Sequence, residues 1–140
     1  MTEELKEKMI RFGNSANPFD KHNGIRIMDV KDGYAVVETE LQHESLNSWG
    51  GPHGGLLFTM ADVACGVATI SLRQEQCVTV NAGMDFIAAT DGHGRLRTVG
   101  KVDHCGRKLC FSTAEVRDEQ DTLLARFHVT MYFTGRELEV

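Results

Sequence analysis

The sequence predicts an α+β chain in which a curved antiparallel β-sheet wraps around one long central helix. Three observations carry this. Residues 54–72 are apolar on most faces, which suits a helix enclosed by a sheet rather than lying on a surface. Most of the remainder alternates with period two in short runs. Those runs are joined by tight turns, and strands joined by hairpins pair antiparallel. The order is one helix, two strands, the long helix, then four strands. A helix that is apolar nearly all round needs a sheet bent about it.

Each element has its own signal. Glu3 to Arg11 reads as a helix because Leu5, Met9 and Phe12 share one face. Asn14 to Asn23, with Asn17-Pro18 and Asn23-Gly24, reads as a turn. Ile25 to Val30 and Tyr34 to Leu41 read as strands, joined at Asp32-Gly33. In the second, Ala35, Val37, Thr39 and Leu41 point one way, and Val36, Glu38 and Glu40 the other. Gln42 to Pro52 is loop, broken at Gly50-Gly51-Pro52. Beyond the long helix, strands are expected at 78–87, 96–103, 109–116 and 123–133. The turns between them are Thr90 to Gly94, His104 to Lys108 and Arg117 to Asp121.

Composition narrows the class. At 140 residues the chain is expected to be a single domain, 1–140. Its net charge of -5 argues against a general nucleic-acid binder. Residues 1–10 are charged and lack the apolar core of a signal peptide. No run reads as a membrane span, so a cytoplasmic protein without membrane partners is expected. Cys65, Cys77, Cys105 and Cys110 form no Cys-x-x-Cys and are expected as free buried thiols. A metal site from Cys105, Cys110 and His104 matches no standard spacing, so no metal is expected.

The chemistry concentrates in Leu46 to Ala64. Gly54 and Gly55 open the long helix and put unshielded N–H groups at its positive end. Such an end binds an anion, or a carbonyl oxygen acquiring charge during acyl transfer. It can also be a glycine-rich turn and nothing more. Asp62 interrupts the apolar run, where a charge is costly without a use. It can activate water, attack a carbonyl, or bond a neighbour structurally. Eight residues separate Gly54 from Asp62, roughly 12 Å along one helix. The two therefore cannot serve one carbonyl from within one chain. If both are catalytic, a homodimer with shared sites follows.

Other residues have two readings each. Asn47 and His53 can meet a substrate carbonyl or fix the loop. Thr79 offers a hydroxyl for holding water, and is also a good strand former. Arg107 and Lys108 at a hairpin tip, with Arg95, Arg97 and Lys101, can hold phosphates or be ordinary solvated charges.

The pattern Asn47-x5-His53-Gly54-Gly55, with Asp62 seven residues later, resembles the hotdog-fold acyl-CoA thioesterases of the phenylacetate-pathway (PaaI-like) type. The element order resembles the hotdog fold over nearly the whole chain. The resemblance implies hydrolysis of an acyl-CoA to a carboxylate and free CoA, with no metal or cofactor. It implies Gly54 as the oxyanion amide, with Gly55 beside it against substrate. It implies Asp62 as base or nucleophile, Asn47 near the thioester carbonyl, and His53 near that carbonyl or the leaving sulfur. Thr79 matches a water-holding hydroxyl after a one-residue shift. A tetramer made of two hotdog dimers is also implied. Trp49 either shapes the acyl site or packs under its loop. Two other functions compete: an enoyl-thioester hydratase or dehydratase, and a non-catalytic acyl-CoA-binding module. The acyl group, and CoA against acyl carrier protein as carrier, stay open.

Overall fold

A computed structural model describes residues 1–140. Two helices, α1 (Glu3–Ala16) and α2 (Pro18–His22), precede strands β1 (Ile25–Lys31) and β2 (Tyr34–Glu40). The long helix α3 (Gly54–Arg73) follows. Strands β3 (Glu75–Phe86), β4 (Arg95–Cys105), β5 (Leu109–Arg117) and β6 (Leu123–Glu137) complete the chain. The six strands form one sheet in the order β1-β2-β4-β5-β6-β3, every pair antiparallel. The hotdog architecture expected from the sequence is present: the sheet holds α3 along its inner face.

Packing explains why α3 can be so apolar. Met60, Ala61, Ala64, Cys65, Ala68 and Thr69 are completely shielded. They press on inward residues such as Leu96, Val116, Phe127 and Met131. Phe58 meets Phe127 edge-on at 5.0 Å. Gly100 on β4 permits the closest approach, since a Cβ there would lie 2.8 Å from the Ala64 backbone carbon. Only α3 has the length and hydropathy to cross a membrane, and it is this core helix.

The N-terminal region differs from the sequence expectation. The residues expected as a turn are helical up to Ala16, and Pro18–His22 form a second helix. The reason is local. Pro18 takes the first helical position, where its missing N–H costs nothing. The Asn17 side chain caps the helix by accepting from the Asp20 N–H at 3.2 Å. Asn14 then covers the β1 edge, accepting from Ile27 N–H at 2.7 Å and donating to Ile27 O at 3.0 Å.

The other edge is open. β3 extends twelve residues along β6, and its far side meets nothing. Val78, Val80 and Phe86 are 50%, 56% and 59% exposed. A long apolar edge strand of this kind is a template for pairing with another chain.

Candidate active site

Helix α3 begins in an unusual way. His53 is its N-cap, and the ring Nδ1 accepts from the Gly55 N–H at 2.8 Å. That bond fixes the neutral tautomer with its proton on Nε2, on an exposed ring. The Gly55 amide is thus engaged by His53 rather than free for a ligand. The Gly54 N–H makes no hydrogen bond and remains the open donor at the positive end of the helix. Space there is tight, because a Cβ on Gly54 would lie 3.1 Å from the Phe86 ring.

Asn47 is occupied by its own loop. Its Oδ1 accepts from Trp49 N–H at 2.8 Å and Gly51 N–H at 3.2 Å, and its Nδ2 lies 3.5 Å from Pro52 O. These contacts build the turn that delivers His53. Trp49 does not pack under this loop, as one expectation had it, but is 92% exposed.

Asp62 lies on α3 between the β3 edge strand and the N-terminal helices, and is half-buried, not enclosed by the apolar run around it. Thr79 donates its hydroxyl to Asp62 Oδ1 at 2.6 Å. Alternation along the strand supplies it, since Cys77, two residues earlier, also faces α3. β3 carries an irregularity between Thr79 and Asn81, where pairing steps from Met131 to Thr130. Such a bulge re-aims the flanking side chains. Cys77 faces α3 before it, with Sγ 3.8 Å from Gly66 O, and Ala82 and Met84 join the core after it. The one-residue offset in the sequence pattern coincides with this bulge. Thr79→Val is expected to lower kcat/KM about tenfold, mostly through kcat, as loss of a charge-assisted bond. Steady-state kinetics at fixed pH would show it.

The structure adds a residue that the sequence reading missed. Asp20 on α2 lines the same hollow as Asp62, a space of about 420 Å³ between the N-terminal helices and α3. Burial, and then the negative Asp62 carboxylate, push its acid up to about 6. Two residues past a proline, Asp20 reads in sequence as an ordinary first-turn acid, so nothing there reveals the encounter with α3. The sign of the linkage follows. A raised acid means that the folded state holds the proton more tightly, so stability falls as pH rises from about 4 to about 6. Asp20→Asn is therefore expected to stabilise the fold above pH 7 by on the order of 1–3 kcal/mol. The gain should vanish below about pH 4, where Asp20 is protonated in both states. Urea melts at the two pH values test this, and an equal gain at both would refute it.

The remaining candidates lie elsewhere. Arg107 and Lys108 are at the β4–β5 hairpin tip, where Arg73 donates to the Arg107 carbonyl at 2.8 Å. Arg73 is the last residue of α3, so the tip lies roughly 30 Å from Gly54 within one chain. Lys108 rests 5.9 Å from the Tyr132 ring centre. Arg95, Arg97 and Lys101 project from the outer face of the sheet, away from α3. Arg95 there meets Glu40 at 3.6 Å. Three of the four cysteines are held as thiols. Cys65 and Cys110 are buried, Cys77 and Cys105 half-buried, and none is bridged. Burial raises Cys65 well above the thiol range, Cys77 to about 12 and Cys110 to about 11.

Fold and site together define a hotdog-fold hydrolase with an open amide at a helix start and a carboxylate on the same helix. The chain belongs to the thioesterase superfamily, whose family model matches residues 50–125. It is similar to the acyl-coenzyme A thioesterase PaaI of Escherichia coli K12, at 29% identity over 74% of this chain and 74% of that protein. The solved structure of the E. coli PaaI protein superposes with a TM-score of 0.87 at 25% identity, covering 96% of this chain and 99% of that one. A hypothetical thioesterase protein of Streptococcus pneumoniae TIGR4, solved with coenzyme A, matches at TM-score 0.78 and 30% identity, covering 85% of this chain and 94% of that one. The protein is a PaaI-like thioester hydrolase.

Proposed function

We propose that the protein cleaves acyl-CoA thioesters to a carboxylate and free CoA, at sites shared between two chains. The observation that carries this is the pairing of a free Gly54 N–H with an Asp62 held by Thr79 on one continuous helix. The coenzyme A found with the S. pneumoniae relative supports CoA as the carrier. In the reaction, Asp62 either takes a proton from a water whose oxygen attacks the thioester carbon, or attacks that carbon itself to form a mixed anhydride that water cleaves after the thiolate has left. The carbonyl oxygen gathers charge against the Gly54 N–H. The intermediate collapses, breaks the C–S bond and releases the CoA thiolate. Single turnover in ¹⁸O-labelled water identifies the nucleophilic route by label in Asp62, which enters when water attacks the Asp62 carbonyl of the anhydride.

The open β3 edge supplies the way to share a site. Phe86 stands beside Gly54, and Thr79 beside Asp62, on this one strand. Antiparallel pairing of β3 with a second copy, centred on Ala82 and Gly83, sets Phe86 opposite the partner's Thr79. Gly54 of one chain then approaches the partner's Asp62, twice per dimer. Two such dimers form the proposed tetramer, and the free thiols suit a cytoplasmic location. Val80→Lys on the exposed edge is expected to lose dimer and activity together, as read by sedimentation velocity beside the kinetic assay.

The test is free-thiol release across a panel of acyl-CoAs. Release from at least one member supports the reading. Water addition to an enoyl-CoA without thiol release would establish the hydratase instead, and binding with neither reaction would establish a binding module.

A further inference from the structure

The hollow beside α3 holds a carboxyl that the chemistry above leaves unused. Asp20 is 5% exposed and is the chain's one fully buried acid. Its backbone N–H is engaged by Asn17, but no donor of the chain reaches its carboxylate. Asp29, by contrast, has Lys6 at 2.6 Å, and Asp118 accepts backbone N–H bonds from Gln120 and Thr122. Met9, Phe12, Ile27 and Val67 supply apolar wall around Asp20 and Asp62, and no lysine, arginine or histidine lines the space. Its volume of about 420 Å³ falls within the range of small-molecule sites, about 300–1,000 Å³. The Asp20 oxygens keep slight access to solvent through the hollow but have little water about them, and a ligand that supplies a partner there pairs a poorly hydrated charge.

We infer that this hollow is the acyl subsite and that Asp20 selects acyl groups ending in a cation, an ammonium in the simplest case. The inference rests on the thioesterase reading, because it takes Asp62 as the reacting end of the hollow. A protonated amine gives Asp20 both a donor and an opposite charge, and such bonds are roughly twice as strong as neutral ones. A hydroxyl gives the donor alone, and a methyl gives neither. Asp20 loses its proton near pH 6, so at neutral pH its charge is uncompensated until such a group arrives.

Three matched thioesters test this: para-aminomethylbenzoyl-CoA, para-hydroxymethylbenzoyl-CoA and para-ethylbenzoyl-CoA. Their rigid ring keeps the amine from attacking its own thioester. The wild type is expected to favour the aminomethyl over the ethyl compound by about tenfold or more in kcat/KM. Asp20→Asn and Asp20→Ala should each bring that ratio close to one. A wild-type ratio near one, a ratio that survives both substitutions, or a preference for the hydroxymethyl compound overturns the inference. Calorimetry with the corresponding non-cleavable ketone analogues, carrying a methylene between sulfur and carbonyl, separates this from the reaction itself. Tighter binding of the aminomethyl analogue with no thiol release from any substrate leaves the subsite standing and removes the thioesterase reading. Equal binding of aminomethyl and ethyl analogues removes the subsite, whatever the turnover.

Discussion

Asp62→Asn is expected to reduce thiol release from acyl-CoA by about 10²–10⁴-fold, the usual contribution of a positioned acid or base. Asparagine has the same shape and keeps an acceptor for the Thr79 hydroxyl, so the 2.6 Å contact survives. What disappears is the capacity to take a proton from water or to form an acyl bond. The loss should fall on kcat, with KM little changed, because the amide still fills the space of the carboxylate. Asp62→Ala should lose a similar factor in rate. It leaves the Thr79 hydroxyl without its partner, but that residue is exposed and can turn to water. A large thermal destabilisation is therefore not expected, and melting curves recorded beside the kinetics separate the chemical loss from a folding defect. Undiminished thiol release in both variants would remove Asp62 from the reaction.

How far the sequence speaks for this site follows from the range of each signal. The hairpins and α3 were legible because their signals are local: period-two alternation, an Asp-Gly turn, and an apolar run too long for a strand. The helix start was legible for the same reason, since His53, Gly54 and Gly55 are neighbours. The division of labour among them was not. Only geometry shows that His53 Nδ1 occupies the Gly55 amide and leaves that of Gly54 free. The Asn17-Pro18 pair was read as a turn signal although it is also a helix-start signal, with Asn as cap and Pro at the first position. The β3 bulge has no local mark, because it exists only relative to β6, and it lets Cys77 and Thr79 before it and Ala82 and Met84 after it share the side facing α3. Asp20 is the extreme case. Its neighbours in sequence are exposed, and its burial comes from packing against α1 on one side and against β1 and α3, which follow it in the chain, on the other.

Mixing two inactive variants should restore activity if the site is shared. Gly54→Pro removes the open N–H and introduces a ring where the Phe86 side chain leaves no room. Loss of an oxyanion donor costs about 10²–10³-fold in kcat. Asp62→Ala removes the carboxylate. In a mixed dimer, one site combines both lesions and is dead. The other combines the intact Gly54 of one chain with the intact Asp62 of its partner. Random exchange of equal amounts makes half the dimers mixed, so about one quarter of wild-type activity should return. A single-chain site predicts no recovery at all, since every chain then carries a broken site. Subunit exchange must be demonstrated in the same sample, for instance by mass spectrometry of differently tagged chains. Exchange without recovery would mean that Gly54 and Asp62 do not act on one thioester. A shared site also couples assembly to chemistry: activity should fall on dilution below the dimer dissociation constant even for the unaltered protein.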